Sequence, residues 1–227
     1  MSELWSDIGP KLWPAFWVTI QLTFYSAIGS MIWGTILAGM RVSPVPVMRW
    51  FGTWYVNIVR NTPLTLIIIF CSVGLYQNLG LALAPENENF VKNNNFWLAV
   101  LGFVLYTSTF VCETLRSGFN TVPIGQAEAA RSLGLPFSKV FTIIVLPQAV
   151  RSVIAPMGSV LIALTKNTTI ASAIGVAEAS LLMKEQIETH ADQVVWIFVI
   201  IAAGFMVLTL TEGFVFGYLA KRLAVKR

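Results

Sequence analysis

Residues Gln193–Tyr218 read QVVWIFVIIAAGFMVLTLTEGFVFGY, with Glu212 the one charged side chain in the run. A helix needs about 20 mostly apolar residues to cross the ~30 Å hydrocarbon core, and this run is long enough to cross it with a tilt. The only other way to satisfy every backbone group in lipid is a closed β-barrel. Barrel strands show alternating segments, whereas this stretch is apolar without a break. The run predicts a membrane-spanning helix.

The rest of the chain agrees. Of 227 residues, 56% are hydrophobic and only 11% charged, against roughly 25% charged in soluble domains. A water-soluble globule could not cover its surface with so few charges, and a disordered chain is never this apolar. Cys71 and Cys112 are the only cysteines and both lie in apolar runs, which excludes a disulfide scaffold. Four further spans are predicted: about Trp13–Met40, Leu64–Ala84, Phe96–Leu115 and Val153–Val176. The last is the weakest, with Pro156 and the polar Lys166-Asn167-Thr168-Thr169 inside it. The first lacks a basic leader and an A-x-A-like cleavage site, so it is expected to remain in the mature protein.

Charge gives the direction. The segments after spans one, three and five hold Arg41, Arg49, Arg60, Arg116, Arg131, Lys139, Arg151, Lys221, Arg222, Lys226 and Arg227, which is 11 of the 15 basic residues. Lys11, Lys92 and Lys184 lie on the other side with most of the acidic residues. The positive-inside rule then places the N-terminus outside and the C-terminus in the cytoplasm. The expectation is an all-α integral membrane protein of five transmembrane helices. Residues 1–12 form an outer tail, 13–218 the membrane domain and 219–227 a basic cytoplasmic tail.

The longest cytoplasmic connection, about 117–151, reads as structured. Gly125-Gln126-Ala127-Glu128-Ala129-Ala130-Arg131-Ser132-Leu133 is rich in helix formers. Gly134 stands where a left-handed C-cap belongs, with apolar Leu135 after it, and Pro136 suits a helix start. Two short helices joined at Gly134 are predicted. Glu128 and Arg131, three residues apart, can pair with each other or with a partner.

These residues carry a family resemblance. Glu128-Ala129-Ala130 with Gly134, followed by Leu146-Pro147-Gln148-Ala149, resembles the EAA loop of ABC-importer permeases. Val59-Arg60-Asn61-Thr62-Pro63-Leu64, Glu113-x-x-Arg116-x-Gly118 and Lys166-Asn167-Thr168-Thr169 narrow the resemblance to the polar-amino-acid permeases, which serve histidine, glutamate, glutamine and arginine. Within them the chain resembles glutamate-uptake permeases of coryneform type. Two departures are mild: the family commonly has Lys-Asp-Thr-Ser at Lys166–Thr169, and often alanine where Cys112 stands.

The resemblance implies a type I ABC importer permease fold in a bacterial plasma membrane. It implies that Gly125, Glu128, Ala129, Ala130, Arg131 and Gly134 form the helix that docks on a cytoplasmic ATPase. It also implies two copies of that ATPase, a second permease chain, identical or related, and an extracytoplasmic amino-acid-binding protein. ATP and Mg²⁺ would be bound by the ATPase, since this chain has no G-x-x-x-x-G-K-[ST] phosphate loop. No cofactor, metal or nucleic acid is expected; His190 has no Cys or His partner in sequence.

Inside the spans, Lys166 is the best candidate for meeting a substrate. Counted from Val153 at 1.5 Å per residue it lies about 20 Å into the span, beside Asn167, Thr168 and Thr169, where a bent or unwound helix would expose backbone to a cavity. Its bland alternative is snorkelling to the outer interface. Gln21, with Thr23 and Ser26, can line a pathway or bond neighbouring helices. Glu113 and Arg116 read as a structural ion pair, and Glu212 as a partner for Lys221 or Arg222. Ser30-x-x-x-Gly34-x-x-x-Ala38 and Gly213-x-x-x-Gly217 read as packing faces. A stand-alone carrier or intramembrane enzyme built on Glu113, Lys166 and Glu212 is the competing class. The spans hold no nucleophile–base spacing to support it.

Overall fold

The computed structural model describes residues 2–223. Met1 and residues 224–227 lie outside them, and with them Lys226 and Arg227 of the basic tail. The described chain is nearly all helical. In order it runs α1 (Ser2–Val42), α2 (Pro46–Asn61), α3 (Leu64–Ile69, widening into a π-helical stretch Phe70–Asn78), α4 (Phe90–Asn120) and α5 (Ile124–Ser132). There follow α6 (Phe137–Lys139, with a π-helical stretch Val140–Val145), α7 (Leu146–Asn167, tightening to a 3₁₀ stretch Thr168–Ile174), α8 (Ala179–Thr189) and α9 (Val194–Leu223).

Four stretches are long and apolar enough to cross a membrane: Leu4–Val42, Phe90–Asn120, Phe137–Ile174 and Ala191–Leu223. The second expected span, about Leu64–Ala84, differs. α3 and its π-helical extension stop at Asn78, short of Ala84, and α2 joins α3 at a bend of 105°. Asn78 ends the helix by turning its amide back onto the Val73 carbonyl at 2.7 Å, a side-chain bond that competes with the helical ladder. The fold thus has five spans only when the bent pair is counted as one.

Two other boundaries move. The stretch 1–12, expected as a tail, is helical from Ser2, because Leu4, Ile8 and Leu12 continue the apolar face. Leu4 and Ile8 are buried against Ile197 of α9. The fourth span does not begin at Val153. Phe137–Ile174 passes as one candidate span, so the second helix after Gly134 is not a short one. Its apolar Val140-Phe141-Thr142-Ile143-Ile144-Val145 falls within the expected loop 117–151 but is helical. Pro156 does not break α7; the helix narrows only at Thr168.

The core lies where α1, α3, α4 and α7 meet. Leu22, Leu64, Ile68, Ala99, Val100, Phe103, Leu164, Ala171 and Val176 form one buried cluster. α1 and α4 approach closely at Gly34, where an added Cβ would stand 2.6 Å from Val111. α4 and α7 do so at Gly118, where a Cβ would come within 2.1 Å of Val153 Cγ1. The Ser30–Gly34–Ala38 face therefore packs as expected. On the Gly213–Gly217 face the approach is looser: a Cβ at Gly213 would meet Ile162 at 3.6 Å, an ordinary contact with α7, and at Gly217 nothing lies within 4 Å.

Candidate functional site

Two polar regions stand at opposite ends of Phe137–Ile174. The first is α5, which begins after Pro123 and closes with a paired backbone lock. Leu135 N–H donates to Ala130 O at 3.2 Å and Gly134 N–H to Arg131 O at 2.9 Å, the two bonds of a Schellman ending. Gly134 takes φ +82°, a conformation that a Cβ disfavours. α5 is fastened to the following helix in two ways. Ala130 is buried, and the Gln148 amide donates to Gln126 Oε1 at 2.7 Å.

The rest of α5 faces outward. Glu128, Ala129, Arg131 and Gly125 are exposed, and the apolar Ile124, Leu133 and Phe137 are 76%, 84% and 68% exposed. Arg131 does not pair with Glu128; its guanidinium lies 5.8 Å from the Phe137 ring centre, a cation–π distance. This presents apolar anchors with charges between them, more apolar surface than a loop in water carries.

Beside this end, Glu113 of α4 gathers three guanidiniums. Arg41 of α1 donates to its Oε1 directly, Arg60 of α2 stands at 3.8 Å, and Arg116 at 4.0 Å. The expected Glu113–Arg116 pair is thus the longest of three contacts. Arg41, read from sequence only as a topology signal, is the main partner, with 8% of its side chain exposed. Only the helix register reveals that: Arg41 ends α1 beside the Gly34 face that meets α4.

The second region is the far end of α7, and there the sequence candidates scatter. Lys166 is exposed in a groove with Ile162, Thr209, Thr211 and Phe214. Asn167, one residue on, lines a separate cavity of about 320 Å³ with Tyr106, Thr107, Phe110 and Ser159. Thr168 is buried and its hydroxyl donates to Thr165 O; Thr169 donates to Lys166 O. Both bond their own helix. Gln21 lies half-buried on α1 and lines neither cavity. The depth also changes: with the helix starting at Phe137, Lys166 is about 15 Å from its Ile174 end. Ser159, Ala163 and Asn167 recur every four residues on one face and line that cavity together, a signal that the residue order carries.

Glu212 bonds across to α7, accepting from the Thr165 hydroxyl at 2.6 Å, and not from the basic tail. Past the 3₁₀ stretch, Gly175 takes φ +77°, Asn95 donates to Ile174 O at 2.7 Å, and Lys184 donates to Ser172 Oγ at 2.8 Å. Glu178 then caps α8, fully buried, accepting from Ser180 N and Leu181 N at 2.8 and 2.9 Å. Burial pushes its carboxyl up to about 7, against the pull of those two amides and of Lys184. His190 faces Asp7 of α1 at 3.5 Å.

Known proteins resemble the chain in sequence and fold. The chain is 66% identical to the glutamate transport system permease protein GluC of Corynebacterium efficiens and, equally, to that of Corynebacterium glutamicum, covering all of both chains in each case. It is 34% identical to the probable glutamine ABC transporter permease protein GlnM of Bacillus subtilis over 92% of this chain and 91% of that one. Among solved structures, an amino acid ABC transporter crystallised with histidines superposes with a TM-score of 0.84 at 26% identity, covering 96% of each chain. Residues 30–225 match the family described as the binding-protein-dependent transport system inner membrane component. A multi-pass membrane chain with this fold and this match belongs to that family of ABC transporter permeases.

Proposed function

We propose that this chain is the membrane subunit of an ATP-driven importer for L-glutamate. The observation that carries the substrate is the 66% identity, end to end, with two chains named as glutamate transport permeases. Glutamine, arginine or histidine is the alternative within the same class, since glutamine and arginine permeases are also relatives.

In this reading the N-terminus is outside and α5 projects into the cytoplasm, as the basic end of the bundle favours. An ATPase grips Ile124, Leu133 and Phe137 around Glu128 and Arg131. Gly125 and Ala129 keep the outer face slim enough to enter a groove, and Ala130 lets α5 sit close on its own chain. ATP and Mg²⁺ belong to that ATPase, in two copies, and a second permease completes the path. An outer binding protein delivers the amino acid.

The chain's own contribution is mechanical. Force entering α5 passes through the Gln126–Gln148 bond and the Gly134 lock into the helix that starts at Phe137. That same helix carries Asn167 and Lys166, so movement at one end reaches the polar end without crossing a loop. The candidate pathway is Asn167 and its cavity with Tyr106, Thr107 and Ser159; Lys166, in its own groove, is the second candidate, and Thr168, Thr169 and Gln21 stand outside both linings.

The test is reconstitution of the permease with its ATPase and binding protein in liposomes. ATP-dependent accumulation of labelled glutamate, outcompeting glutamine, arginine and histidine, supports the proposal. Preference for one of those three moves the substrate to it. Uptake by the lone chain on an ion gradient, indifferent to ATP, sinks the importer reading.

A further inference from the structure

Beyond the spans, three basic residues lie on the side away from α5: Lys11, Lys92 and Lys184. Lys184 donates to Ser172 Oγ. The other two, 81 residues apart in sequence, line one cavity of about 270 Å³ between α1, the start of α4 and the start of α8. Among the described residues neither makes an ion pair, and neither does Glu185, which lines the same cavity. Opposite charges that share a cavity without pairing are each free to meet a ligand that carries both signs.

Two further features belong to this cavity. Pro10 and Pro14 stand one turn apart in its α1 wall. Pro14 has no N–H, so the Pro10 carbonyl loses its helical donor, an acceptor freed within the wall. Glu178 is fully buried and spends both carboxylate oxygens on first-turn amides of α8, which fixes the floor. Burial makes it titrate near 7, so it adds only part of a negative charge at neutral pH. Ala15, Val18 and Leu182 make the remaining wall apolar. The volume lies just below the roughly 300–1,000 Å³ of drug-sized ligand sites, which suits a ligand of amino-acid size. Along α4, Lys92 is about 20 Å from Tyr106 and Thr107, so this cavity is distinct from that of Asn167.

We propose that this cavity is an outer receiving site for an acidic amino acid, a proposal that rests on the importer reading above. Lys11 and Lys92 take the two carboxylates, and Glu185 with the Pro10 carbonyl takes the α-ammonium. The apolar wall takes the methylenes between them. Two ammoniums and one exposed carboxylate match the two negative charges and one positive charge of glutamate. Glutamine leaves one lysine unmatched, and arginine brings a further cation to a site that already holds two. The permease thereby sorts its substrate by charge before Asn167 is reached.

The test uses the purified permease–ATPase complex in nanodiscs, without the binding protein. L-glutamate, L-glutamine, L-arginine and glutarate are titrated in turn by calorimetry. Glutamate should bind most tightly. Lys11→Gln and Lys92→Gln should each weaken it about fivefold, as for exposed ion pairs, and together about twentyfold. Lys11→Arg with Lys92→Arg, which keeps both charges, should retain binding. Glu185→Gln should erase the preference for glutamate over glutarate, which lacks the ammonium. No glutamate binding by the wild-type complex, equal affinity for the three amino acids, or unchanged affinity in the double glutamine variant would each overturn the site. So would a double variant that keeps its glutamate affinity and loses only the stimulation of ATP hydrolysis by the binding protein, which would make the lysines a protein contact. The importer reading fails separately: there, the wild-type transporter with its binding protein would accumulate no glutamate at all.

Discussion

The Gln148 side-chain amide donates to Gln126 Oε1 at 2.7 Å, joining α5 to the first turn of α7 across 22 residues of sequence. The bond is exposed, and its net contribution to stability is about 1 kcal/mol or less. Its value lies in holding the angle between two helices. Gln148→Leu should leave thermal stability within about 1 kcal/mol of wild type and lower the ratio of glutamate moved to ATP hydrolysed. Measuring uptake and phosphate release in the same liposomes checks this. An unchanged ratio would remove the bond from the coupling route.

Gly134→Val should abolish ATP-driven uptake. A left-handed residue with a Cβ costs roughly 1–2 kcal/mol, more for a β-branched one. Nothing lies within 4 Å of the added Cβ, so backbone conformation is the whole effect. Gly134→Asn should keep most of the activity, because asparagine tolerates φ > 0 better. Equal loss in both variants would point to a steric role for this position in docking.

Glu113→Gln strands Arg41, which has 8% of its side chain exposed. Breaking a buried pair on one side costs about 3–5 kcal/mol, discounted here because Glu113 is itself 31% exposed. The purified protein should melt several degrees lower. Adding Arg41→Met should restore part of the loss. A double variant no better than the single one would show that Arg60 and Arg116 carry the pairing.

Glu178 gives the protein a pH dependence of unusual sign. Its carboxyl is raised from 4.5 to about 7 by burial, so between those values the folded chain holds a proton that the unfolded chain has released. Stability therefore falls as pH rises through that window and levels off above about 7. Lys184 opposes the shift, and Lys11, Lys92 and Glu185 line the adjoining cavity. Glu178→Gln should flatten the profile measured by thermal unfolding from pH 4.5 to 7.5. A slope that survives the substitution belongs to another group.

Asn167→Leu should raise the KM for uptake or stop it, by filling the cavity it shares with Ser159 and Thr107. Lys166→Met, in its own groove, should matter less. The reverse order would move the pathway to the α7–α9 side. Uptake kinetics of the two variants, compared at matched protein level, decide it.

Much of this was legible from residue order. Gly134, Leu135 and Pro136 announced the end of one helix and the start of another because capping is local chemistry. Positive charge marked one end of the bundle because the bilayer penalises it elsewhere. What was missed depends on helix register. Lys166 and Asn167 are neighbours in sequence and open on different cavities, since consecutive helical residues point about 100° apart. Arg41 meets Glu113 across 72 residues of sequence, which no spacing rule foretells. The fourth span was cut short because π-helical Val140–Val145 is apolar enough to be membrane and close enough to α5 to read as loop.

The Gly118–Val153 approach falls near the middle of Phe137–Ile174, where under the proposed function it would serve that helix as a fulcrum. A beam held tightly at mid-length does not transmit a push as a translation. It rocks. In the proposed importer the end nearer α5 and the end bearing Asn167 would then swing in opposite senses, so that a pull at one face of the membrane would open the other by leverage. Enlarging Gly118 would jam that pivot while leaving both ends chemically untouched.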